Sequence, residues 1–130
     1  MLRRILRLGG VVPLLVVLLL PAATPATAQS TKPTTTVSIV SGVVVSGGAG
    51  ITVRYSCFPG GYGPYGSFGD VRVGQVSGAT GDGFFRPICS DRTQTNSVFV
   101  PGHFTKGDAA VSAFVCGFDC NSATKELRLK

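Results

Sequence analysis

The residues of this chain best placed to do chemistry are four cysteines, at positions 57, 89, 116 and 120, which could form a metal site, a thiol redox pair or two disulfides. The start of the chain chooses between these. Arg3, Arg4 and Arg7 form a basic opening, Val11 to Leu20 an apolar run, and Ala26-Thr27-Ala28 a small-residue cleavage site, so residues 1–28 read as a secretory signal peptide. The mature chain then begins near Gln29, in an oxidising compartment, and Cys57, Cys89, Cys116 and Cys120 are expected as two disulfides. A secreted, extracellular product follows. No cofactor and no metal site are expected.

Other reactive residues lack partners. His103 is the single histidine, in a turn beside Phe104, and neither a Gly-x-Ser-x-Gly elbow nor an H-E-x-x-H pair accompanies it. Asp70, Asp82, Asp91, Asp108 and Asp119 all fall at predicted turns, where side-chain to backbone hydrogen bonding accounts for them as well as a carboxylate pair or a calcium loop would. The expectation is a non-enzymatic protein. Twelve Lys and Arg face six Asp and Glu, but three arginines leave with the leader, so nine against six gives a mature net charge of +3. The nine are scattered singly, which argues against nucleic-acid binding. No second apolar run long enough to span a bilayer follows the leader.

Removing 28 of 130 residues leaves 102, enough for one domain with one modest core. Residues 29–36 form a polar Thr/Pro tether, and 37–130 the domain. From Val37 onward the hydrophobic period is two, not 3.6. Val37 to Ile39 and Val43 to Val45 read as one edge strand with a kink. Ile51, Val53, Tyr55 and Cys57 alternate with Thr52, Arg54 and Ser56, the clearest strand of the chain. Further short strands fall at Val71 to Val73, Phe84 to Ile88 (weakened by Pro87), Asn96 to Val100, Ala109 to Cys116 and Ala123 to Leu129. Seven or eight short strands with turn signals every 8 to 12 residues predict an all-β, immunoglobulin-like antiparallel sandwich, expected as a monomer.

Four cysteines allow three pairings, of which two compete. Cys57 with Cys116 would imitate the bridge between the sheets of an antibody domain. Facing favours Cys57 with Cys89 and Cys116 with Cys120: Cys57 shares the inward phase of Ile51, Val53 and Tyr55, whereas inward Val111, Ala113 and Val115 turn Cys116 the other way. Between Cys57 and the next strand lies a Gly/Pro-rich stretch carrying Phe58, Tyr62, Tyr65 and Phe68. It is either a ligand-contact loop or a lid over one end of the core.

A Thr-Val-x-Tyr-x-Cys strand (Thr52 to Cys57), a Cys-Ser-Asp turn leading to a Thr/Val strand (Cys89 to Val100) and a late segment ending in a close cysteine pair (Phe104 to Cys120) resemble small secreted actinobacterial immunoglobulin-like proteins of unassigned function. A weaker likeness exists to neocarzinostatin-type chromophore carriers. With no convergent catalytic constellation in the chain, the expected function is a binding or cell-surface interaction module whose partner is an extracellular protein, a glycan or a small apolar ligand. The alternatives are a small-ligand carrier or a protease inhibitor that uses the loop locked by Cys116 and Cys120.

Overall fold

A computed structural model describes residues 34–60 and 66–130. The predicted leader, most of the tether, and Tyr62 and Tyr65 lie outside the described residues. Seven antiparallel strands make up the fold: β1 (Thr36–Val45), β2 (Gly48–Ser56), β3 (Phe68–Gly74), β4 (Thr80–Phe85), β5 (Gln94–Pro101), β6 (Gly107–Cys116) and β7 (Cys120–Leu129). They form two sheets, ordered β1-β2-β5 and β4-β3-β6-β7. No helix occurs among the described residues. β4 lies beside β3, whereas the constant-type immunoglobulin sandwich keeps its fourth strand with the other sheet.

Alternation builds the core. Ile51, Val53 and Tyr55 of β2 and Val98 and Val100 of β5 are buried in one cluster with Val71 and Val73 of β3 and Val111, Ala113 and Val115 of β6. Because successive side chains point to opposite faces, the same strands leave Thr52, Arg54, Asp70, Arg72, Ser112 and Phe114 on the outer faces.

The expected kink in the first strand is a register shift between Ile39 and Ser41. Its consequence was not legible in the sequence: beyond the shift, Val44 N–H donates to the Lys130 carbonyl at 2.8 Å, and Lys130 N–H to the Gly42 carbonyl at 3.2 Å. This half of β1 therefore runs parallel to the end of β7 and ties the two sheets together along one side.

The opposite side is closed by glycine. The strand expected from Phe84 to Ile88 instead spans Thr80–Phe85, with Gly81 and Gly83 at its core-facing positions opposite Val73 and Val71. A Cβ on Gly81 would collide with the Pro101 carbonyl oxygen, and one on Gly83 with that of Phe99. The missing side chains let the backbones of β4 and β5 meet across the two sheets.

The aspartates also need correction. Asp70, Asp82 and Asp108 are strand residues, on β3, β4 and β6, because the solvent-side positions of strands accept charge as readily as turns do. Asp91 and Asp119 do lie outside the strands, and Asp91 adopts a φ of 68°, which aspartate tolerates better than most residues.

Candidate functional site

Two disulfides lock one end of the sandwich: Cys57–Cys89 and Cys116–Cys120. The first clips the exit of β2 to the segment before β5, and the buried Tyr55 hydroxyl reinforces it by accepting the Ile88 N–H at 2.9 Å. The second joins residues directly opposite one another on β6 and β7. Cys116 has the outward parity read from the sequence, but it is fully buried, paired across the sheet with Phe68 as well as with Cys120.

The five-residue ring is a closed turn, not an extended segment. Gly117 N–H donates to the Asp119 carbonyl at 2.9 Å and Phe118 N–H to the Phe58 carbonyl at 3.1 Å. Only the Phe118 ring projects, 69% exposed. Asp119 turns the other way and holds the chain entering β1. Its carboxylate accepts the N–H groups of Thr34 (2.6 Å) and Thr35 (3.0 Å) and lies 3.0 Å and 2.6 Å from their hydroxyls. The Asn121 amide adds a bond to the Thr35 carbonyl at 3.0 Å. The end of the expected tether is therefore held against the domain, and β1 opens one residue before the expected boundary. The hydrogen bond from the Thr35 hydroxyl keeps the Asp119 carboxyl below its ordinary pKa; desolvation opposes it, and the bonds from Thr34 and the Thr35 amide add to the lowering.

Next to this locked end, the outer face of the four-stranded sheet carries a cluster of rings around one carboxylate. Asp70 on β3 sits directly between Phe84 on β4 and Phe114 on β6. Phe68, one outward position earlier on β3, packs its ring on Phe114 with centroids 5.7 Å apart. Asp70 Oδ2 lies 3.2 Å from Arg72 Nε, which is also 3.5 Å from Asp82 Oδ1. Asp70 Oδ1 is buried with no hydrogen-bond partner among the described residues. Past Arg72 the face flattens into a shallow groove of about 640 Å³, with Gly74, Ala110 and Ser112 along its floor.

Phe84 is the residue the core does not explain. It is 78% exposed, while its neighbour Phe85 points inward and packs on Tyr55 with ring centroids 5.5 Å apart. A second apolar group, Val43, Val45 and Phe99, lies on the outer face of the three-stranded sheet, but Phe99 has a structural task there. Its ring covers Gly48, whose Cβ position would lie 2.9 Å from it, and so supplies the apolar cover that glycine lacks.

Of the residues predicted for a contact loop, Phe68 is the first residue of β3 and belongs to this face, while Phe58 sits beside the Cys116–Cys120 ring. Phe84 and Phe114 were missed. Their signal was phase: Phe114 alternates with inward Ala113 and Val115, and a ring at an outward position of a well-filled strand is not needed by the core. His103 lies in the loop between β5 and β6 and has an exposed side chain. Comparison with protein families, curated proteins and solved structures gives no match.

Proposed function

We propose that this chain is an exported, non-enzymatic binding module that presents the outer face of its four-stranded sheet to a small apolar ligand. The observation that carries this is the row Phe84–Asp70–Phe114 with Phe68 beside it: rings gathered on a face whose opposite side already fills the core. Exposed rings attract flat apolar molecules by area burial and offset stacking. Strands hold them more firmly than a loop would, so little conformational freedom is lost on binding. Export is supported by the leader read in the sequence and by the two disulfides. Among the described residues, no helix is long and apolar enough to cross a membrane. Small-ligand carriage also agrees with the likeness to chromophore carriers.

The test uses a neutral aromatic probe, 1-naphthalenemethanol, in equilibrium dialysis against the folded protein and its Phe84→Ala variant. The parent retains the probe, and the variant loses most of that retention at an unchanged melting temperature. Equal retention by both proteins would contradict the assignment.

A further inference from the structure

One corner of this face holds a cation that the fold leaves without a partner. Ser67, Phe68, Gly69, Phe84, Phe85 and Arg86 line a pocket of about 330 Å³, at the small end of the roughly 300–1,000 Å³ typical of small-molecule sites. Phe68 and Phe84 bring ring surface to it, and Arg86, just past the end of β4, brings a guanidinium. All six acidic side chains of the chain lie among the described residues, since the segments 1–33 and 61–65 contain no Asp or Glu. The ion pairs among the described residues are those of Arg72 with Asp70 and Asp82. Arg86 therefore has no carboxylate partner, whereas Asp70 and Asp82 on the same face share a different arginine.

The charge of the ligand follows from this asymmetry. A cationic ligand would have to compete with Arg72 for Asp70 Oδ2, reach the buried Oδ1, or leave the pocket for Asp82, which does not line it and already lies 3.5 Å from Arg72. An anionic ligand meets a guanidinium that is exposed and unpaired, and whose planar fork of N–H groups matches the two oxygens of a carboxylate. We infer that the corner binds a planar aromatic acid of one or two rings, with its ring system against Phe68 and Phe84 and its carboxylate on Arg86. This deepens the functional proposal above and rests on that same face being the binding surface.

The experiment compares 1-naphthoate with 1-naphthalenemethanol, which share a ring system and differ in the acid. Binding is followed by naphthalene fluorescence in a chain that has no tryptophan. The parent binds naphthoate about two- to fivefold more tightly than the alcohol, the gain expected of one solvent-exposed ion pair. Arg86→Gln removes that preference by lowering the affinity for naphthoate more than that for the alcohol, and an unchanged melting temperature shows that the variant is folded. Rising salt shrinks the preference in the parent. If the alcohol binds but the parent shows no preference for naphthoate, or keeps its preference after Arg86→Gln, the acid assignment is wrong and the binding face stands. Tighter binding of 1-naphthylmethylammonium than of naphthoate would also refute it. If neither naphthoate nor the alcohol binds, the face itself is not the binding surface and both proposals fall.

Discussion

Gly117, inside the ring closed by Cys116 and Cys120, lies against Cys89 of the other disulfide: a Cβ at Gly117 would stand 2.9 Å from the Cys89 Sγ and 2.6 Å from the Phe58 carbonyl oxygen. The two bridges are thus packed together, and the contact needs a residue with no side chain. Gly117→Ala should destabilise the domain by about 1–3 kcal/mol, the usual cost of overpacking against atoms that cannot move aside. Thermal unfolding checks this, and an unchanged melting temperature would show that the two bridges are not in firm contact.

The bridges should differ in weight. Closing about 33 residues, Cys57–Cys89 constrains the unfolded chain more than the five-residue ring of Cys116–Cys120 does, about 4 kcal/mol against about 2. Urea titrations of Cys57→Ser with Cys89→Ser and of Cys116→Ser with Cys120→Ser should show that order. The reverse order would mean that the small ring, through Asp119 and Gly117, holds more of the fold than its length implies.

The Asp119 clasp gives a pH dependence with a defined sign. Its carboxyl is held below the ordinary value in the folded state, so the folded protein gives up this group's charge less readily than the unfolded chain. The stabilisation is complete above the ordinary carboxylate pKa, near 4, and fades as pH falls through the lower folded value. Amide exchange at Thr34 and Thr35, corrected for the intrinsic pH dependence, should lose protection in that acid range. In Asp119→Asn it should already be lost at neutral pH. Protection in the variant equal to that of the parent would remove the clasp from the account.

Gly83 should resist a substitution that strand propensity favours. Alanine suits a strand better than glycine does, but a Cβ at Gly83 would strike the Phe99 carbonyl where β4 meets β5. Gly83→Ala is therefore expected to cost about 1–3 kcal/mol. A rise in melting temperature would show that the two strands can separate without loss.

The parts of this fold that depend on alternation were legible in the sequence. Ile51 to Cys57 shows its inward face directly, and the phase of Val111, Ala113 and Val115 was enough to steer Cys116 away from Cys57 and toward Cys120. β4 was misplaced because its inward positions are glycines, whose purpose appears only once β5 lies against them. The clasp on Thr35 was hidden for a different reason: its partner Asp119 is 84 positions away, and no local pattern links a threonine to a distant turn aspartate. The candidate face was half visible. Phe68 was picked out, though as part of a loop, while Phe84 and Phe114 join it only through the pairing of β3 with β4 and β6.

The central claim is that the four-stranded sheet carries the binding surface, and amide chemical-shift mapping with 1-naphthalenemethanol tests it most directly because the sandwich offers two apolar outer faces. The account predicts shifts concentrated at Phe68, Asp70, Phe84 and Phe114. Shifts concentrated instead at Val43, Val45 and Phe99 would contradict it.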